Sequence, residues 1–230
     1  GESGGGRKVA MLMAMTGAKG LFHKAVIQSG AGLDAPTAAE AAAYGRQLLE
    51  KLGVAEGDVE ALARADATAI FKAQPPASPS ASPQGKLFMP TGGFVPCVDG
   101  VALTRQPFIP DAPGFSARVP LLIGSNKDEM TIFRTRDPRL WSATEKDFED
   151  YVRRSLPAQA EELIPALGAA FPGYSPAHLI TAAETMKGYW IATVVQAERK
   201  ARQSAPVYAY LLAWETPASD GRLRSHHALD

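Results

Sequence analysis

Three short apolar runs separated by long helix-forming stretches restrict this fold more than any other feature. Ala25-Val26-Ile27-Gln28 ends at Ser29-Gly30, Val119 to Gly124 reads Val-Pro-Leu-Leu-Ile-Gly, and Val207 to Trp214 is the third. Each is strand-sized, and the first two read as buried. Between them, residues 4–15 carry Val9, Leu12 and Met13 at helical spacing until Gly17 and Gly20 break it. Residues 37–53 are Ala-rich, with Thr37 as N-cap and Gly53 as stop. Shorter helices are predicted over 57–64 and 67–73. Residues 144–155, 157–167 and 176–203 alternate helical patterns with Pro and Gly breaks. Gln74 to Gly85, Pro-rich and Ser-rich, predicts a surface loop, and Pro217 to Ser225 a polar one. Phe94 to Val98 predicts an extended segment ending in a turn at Asp99-Gly100. This order predicts an α/β class: a mainly parallel central sheet with helices on both faces.

Composition narrows the function classes. With 230 residues, 46% of them hydrophobic, the chain can bury the core of one α/β domain. Lys+Arg and Asp+Glu are both 24, with no basic block, so no nucleic-acid partner is predicted. No apolar run reaches the roughly 18 residues of a membrane span. Cys97 is the only cysteine, which argues against a disulfide-stapled scaffold. The chain opens without a Met or signal peptide and stops just after a histidine pair, so it reads as a fragment of a longer protein. Compartment and oligomeric state stay open.

Gly1-Glu2-Ser3-Gly4-Gly5 fits the G-x-S-x-G pattern of a sharp strand-to-helix turn. Such a turn forces the serine into strained backbone, and residues two before and two after must be small to avoid colliding across it. Gly1 and Gly5 meet that need. The following helix start offers free N–H groups, and Gly4 N–H would be one oxyanion-hole donor. By itself the motif is open to blander readings. The glycines could be a flexible tag remnant. A Walker-type phosphate loop would need Gly-Lys-Ser/Thr, which is absent.

Three blocks decide between these. The first joins Gly1-Glu2-Ser3-Gly4-Gly5-Gly6-Arg7-Lys8-Val9 to Gly20-Leu21-Phe22-His23-Lys24-Ala25-Val26-Ile27-Gln28-Ser29-Gly30. The second is Gly124-Ser125-Asn126-Lys127-Asp128-Glu129-Met130-Thr131-Ile132-Phe133, and the third His226-His227-Ala228-Leu229-Asp230. Together they resemble the type-B carboxylesterase (cholinesterase-like) family, closest in style to its bacterial members, over essentially the whole chain. The resemblance implies a partial α/β-hydrolase domain across 1–230, lacking N-terminal strands and the C-terminal end, with a helical cap-like region about 144–203.

The resemblance also implies roles. Ser3 would be the nucleophile, Glu129 the acid of a triad and His227 its base, with an acid three residues on at Asp230. His226 would need that acid at Leu229 and fits less well. Glu2 and Ser29 would belong to a buried network near the histidine. The implied reaction is cleavage of a small-molecule carboxylic ester through an acyl-enzyme, without metal or cofactor. Amide, thioester or carbamate cleavage on the same site is an open alternative. So are a non-catalytic adhesion-type relative, although such proteins typically lose triad residues, and an inactive fragment. Gly4 departs from the commoner alanine, and the family's upstream His-Gly-Gly-Gly-like loop, which supplies further oxyanion donors, is not in this sequence. Other residues carry ordinary readings: His23 as surface, Cys97 as a small buried side chain, Met11, Met13 and Met15 as core. Trp141, Tyr189 and Trp190 pack or border a pocket.

Overall fold

The computed structural model describes residues 1–75 and 93–230; most of the loop predicted from Gln74 to Gly85 lies outside the described residues. Strands β1 (Ala25–Gln28), β2 (Leu121–Asn126) and β3 (Val207–Leu212) form one parallel sheet in that order. The register aligns Val26 with Leu122 and Tyr208, and Ile27 with Ile123 and Ala209. β2 begins after Pro120, which has no N–H to donate to a ladder. It then runs through Ser125 and Asn126, two polar residues that simple hydropathy leaves out of a strand.

Helices connect and flank the strands: α1 (Gly4–Ala14), α2 (Ala38–Leu52), α3 (Val59–Arg64), α4 (Ala67–Ala73), α5 (Pro138–Trp141), α6 (Glu145–Ser155), α7 (Ala160–Ala170), α8 (Pro176–Thr185) and α9 (Ile191–Ala201). The predicted punctuation of α2 is realised. Thr37 and Glu40 form a reciprocal capping box, and Gly53 closes the helix at φ 67°, a left-handed position suited to glycine. Several short turns of the chain escaped prediction, among them the 3-10 segment Glu129–Arg134 and the one-turn α5, both too short to show a helical period. The stretch 176–203 is also not one continuous α-helix. A π-helical turn, Met186–Trp190, joins α8 to α9. Such turns recur at functional sites.

The helices cover the sheet unevenly. Ala25, Ile27, Leu121 and Ile123 pack against Ala10 and Met13 of α1, Ala192 of α9, and Leu33 and Phe108. Each large aliphatic buried there contributes about 1.5–3 kcal/mol. On the opposite face Val26, Leu122 and Tyr208 stand in one row, 39%, 40% and 64% exposed. Two buried polar side chains fasten α9. Gln196 Oε1 accepts from Gly32 N at 2.8 Å. Lys200, fully buried, donates to Ser116 O, Ala117 O and Gln203 Oε1 at 2.9, 3.2 and 2.8 Å, which satisfies all three of its protons.

Helices α5 to α8 build a second core from Leu140, Phe148, Val152, Leu167, Phe171 and Ile180. Trp141 and Trp190 pack against it, and Trp190 Nε1 donates to Asn126 O at 3.0 Å, pinning the π turn to the end of β2. No helix among the described residues is long and apolar enough to cross a membrane. Met11 and Met13 are buried, His23 is exposed, and Cys97 is half-buried rather than buried.

Candidate active site

Gly1 and Glu2 run parallel beside β1: Gln28 N donates to Gly1 O at 3.0 Å, and Ser3 N to Gln28 O at 2.8 Å. One residue later α1 begins. Ser3 makes the turn at φ 52°, ψ −120°, a strained conformation for a residue with a side chain. Gly4 N–H has no backbone partner among the described residues, so it is a free donor at the helix N-terminus.

The glycine logic of the turn is partly as expected and partly corrected. A Cβ on Gly1 would lie 2.6 Å from Gly5 C, so Gly1 must be glycine. Gly5 has open space where its Cβ would go, with nothing within 4 Å. The crowded partners are Gly30, whose Cβ would sit 2.1 Å from Ser3 O, and Gly6, 3.0 Å from Gly1 O and from Gly30 Cα. The turn is therefore wedged against the end of β1, a long-range constraint that local spacing does not reveal.

Glu129 follows β2 and is fully buried. Its Oε1 accepts from Asn126 N at 2.7 Å, and its Oε2 lies 2.6 Å from His227 Nδ1. The backbones join as well, with His227 N donating to Glu129 O at 3.2 Å. His226 turns its Nδ1 to His227 O at 2.6 Å, so of the adjacent pair only His227 meets the acid.

Neighbouring contacts hold the histidine loop. Asn126 Nδ2 donates to His226 O at 2.7 Å, and Ser225 Oγ to Leu212 O at 2.8 Å. Asp128, buried, receives Ser225 N at 3.3 Å on Oδ2 and Tyr174 OH at 2.8 Å on Oδ1. Burial raises the Asp128 pKa against these bonds. Burial and the Asp128 charge push the Tyr174 phenol well above its ordinary value, so the phenol stays a donor. The Arg224 guanidinium lies 4.1 Å from the Tyr174 ring and pairs with Glu215 at 3.0 Å. Neither Asp128 nor Tyr174 was singled out in the sequence. Asp128 sits in a recognised block, whereas nothing in the sequence marks Tyr174.

Aromatic rings enclose the imidazole: Phe133 at 5.1 Å and Tyr189 at 5.2 Å between centroids. Burial and the nearby Glu129 charge push the Tyr189 phenol up to about 12. For His227, burial alone lowers the pKa. The hydrogen bond and charge of Glu129, with the charges of Glu2 and Asp230, outweigh it, and the net shift is upward.

The other imidazole nitrogen, Nε2, lies 3.1 Å from Glu2 Oε1. This oxygen makes no aligned hydrogen bond, so the contact is an electrostatic approach. No hydrogen bond joins Ser3 Oγ to His227 among the described residues. Glu2 and Ser29 do not contact each other as partners. Ser29, fully buried, donates its hydroxyl to Asp230 Oδ2 at 3.4 Å, an oxygen that also accepts from Tyr210 OH at 2.5 Å. Beside the elbow, Ser3, Gly4, Arg7, Ser29, Gly188 and Tyr189 help to line a cavity of about 180 Å³.

The carboxylesterase family model matches residues 1–222, nearly the whole chain. The chain belongs to the carboxylesterase family. Para-nitrobenzyl esterase of Bacillus subtilis (strain 168) is 30% identical over 233 residues, covering 100% of this chain and 44% of that protein. Fumonisin B1 esterase of Sphingopyxis macrogoltabida is 30% identical over 186 residues, 76% of this chain and 32% of that protein. Among solved structures, a Geobacillus stearothermophilus carboxylesterase matches with TM-score 0.73 at 31% identity, over 100% of this chain and 45% of its own. The fold is that of the α/β-hydrolase carboxylesterases, present in part. The chain spans less than half the length of the curated relatives it matches.

Proposed function

We propose that this carboxylesterase-family chain carries the nucleophile, base and acid of a serine ester hydrolase: Ser3, His227 and Glu129. The observation that carries the reading is the buried Glu129–His227 pair at 2.6 Å, with the second imidazole nitrogen at the residue next to a strained Ser3. In this reading Nε2 passes from Glu2 to Ser3 Oγ when substrate binds, as catalytic bonds commonly tighten only in the complex. The serine oxygen bonds to the ester carbonyl carbon while its proton moves to Nε2. Glu129 holds the Nδ1 proton and stabilises the imidazolium. Gly4 N–H donates to the developing oxyanion, a kind of contact worth about 10²–10³-fold in rate. The C–O bond to the alcohol breaks, and Nε2 protonates the leaving oxygen. Water, deprotonated by the same nitrogen, then cleaves the acyl-enzyme and frees the acid.

The substrate class under this reading is a small-molecule carboxylic ester. The test is fluorophosphonate labelling of the full-length protein, with mass spectrometry to locate the adduct and Ser3→Ala as control. Labelling at Ser3 that disappears in the control is the expected result. A folded protein that takes no label would overturn the assignment and favour a non-catalytic binding role.

A further inference from the structure

Arg7 stands one helical turn beyond Ser3 on α1, with its amide donating to Ser3 O at 3.1 Å. Residues four apart share a helix face, with Cβ atoms about 6 Å apart, and helical side chains lean toward the N-terminus. Arg7 therefore leans toward the serine, and both line the same cavity.

This guanidinium differs from others in the molecule. Arg64, Arg105, Arg134, Arg153 and Arg224 each pair with a carboxylate. Arg7 is half-buried, yet no hydrogen bond or ion pair to its guanidinium is formed among the described residues. Burial lowers its pKa, with the Tyr189 and Asp34 charges acting in the opposite direction. A desolvated cation lacking an aligned anion is costly to keep. None of the residues lining the cavity is acidic, so the space before Arg7 is open to an anion. The guanidinium fork matches a carboxylate with two parallel hydrogen bonds. The cavity of about 180 Å³ opens to solvent on one side and has room for a short acyl chain.

We infer that the cavity beside Ser3 takes esters whose short acyl chain ends in a carboxylate, and that Arg7 pairs with that carboxylate. The inference rests on Ser3 as nucleophile and adds the substrate class.

The test compares kcat/KM for para-nitrophenyl hemiglutarate and para-nitrophenyl pentanoate, which share chain length and differ in the terminal charge, on the full-length protein. The half-ester is expected to be preferred. Arg7→Gln is expected to lower the ratio about tenfold or more, the scale of a lost charged hydrogen bond, and Arg7→Lys to restore part of it. A pentanoate preference in the native protein, or a ratio untouched by Arg7→Gln, overturns the inference. Calorimetric binding of glutarate to Ser3→Ala separates the two readings. Glutarate binding that Arg7→Gln abolishes, in a protein whose Ser3 takes no fluorophosphonate, would sink the nucleophile and keep the anion site. Labelling at Ser3 without carboxylate discrimination would keep the nucleophile and sink the anion site.

Discussion

The imidazole side of the site and the serine side are held by different forces. Glu129 and His227 sit in a buried mesh of hydrogen bonds drawn from the ends of β2 and β3 and from Tyr174. The turn at Ser3 is held by its backbone alone: a positive φ, ladder bonds from Gly1 and Ser3 to Gln28, and glycines too close for a Cβ. The first arrangement depends on charge and responds to pH. The second depends on volume and responds to a methyl group. This contrast teaches that the two sides fail in different ways when disturbed.

Glu129→Gln tests the charged side most severely. The amide keeps an acceptor for Asn126 N but loses the charge that steadies the imidazolium. We expect kcat to fall about 10²–10⁴-fold in steady-state assays with the fold intact by circular dichroism. A fall below tenfold would mean that Glu129 is not the orienting acid.

Gly30→Ala tests the volume side. Its Cβ would lie 2.1 Å from Ser3 O, a backbone atom that cannot give way cheaply. Urea denaturation should show a loss of about 3 kcal/mol or more. Gly5→Ala, with nothing within 4 Å, should be neutral or gain up to about 1 kcal/mol as a helix substitution. Equal effects at the two positions would contradict the wedge at β1.

Tyr174→Phe leaves Asp128 without its phenol donor. The expected loss is about 1.5–3 kcal/mol of stability, with kcat reduced and KM little changed as the Ser225–His227 loop loosens. A normal kcat in a destabilised protein would restrict Tyr174 to packing.

Glu2→Gln has the smallest effect and reads the charge balance directly. His227 has a raised pKa in the fold, so the stability this provides is fully present below the ordinary histidine value and is lost as pH rises through the raised one. Activity has the opposite sign, because the base must be neutral: kcat/KM should rise with pH through that raised value. Removing the Glu2 charge should move the acid limb of the kcat/KM profile to lower pH, by less than Glu129→Gln does. An unmoved limb would show that the 3.1 Å approach to Nε2 does not persist in solution.

Much of this was legible in the sequence, for local reasons. Strand cores declare themselves by apolar runs, and α2 by Thr37, Glu40 and Gly53, because caps act within four residues. The elbow is likewise local, since Ser3 must turn in one residue. What escaped lay in pairings across the chain. Gly30 against Ser3, Tyr174 on Asp128, Ser29 on Asp230 and Nε2 beside Glu2 each join residues far apart in sequence.

By itself, then, the sequence determined the α/β order, the strained serine at a helix start and the blocks from which the proposed acid and base are drawn. Periodicity, capping and turn sterics operate over a few residues and leave their mark in the text. Only the tertiary structure decided that Gly6 and Gly30, not Gly5, are the crowded glycines, that Glu2 rather than Ser3 meets Nε2, and that Arg7 faces the cavity without an anion. Those outcomes depend on which strand lies beside which and on which charges burial removes from water. No local pattern encodes them, because each arises from packing between segments tens to hundreds of residues apart.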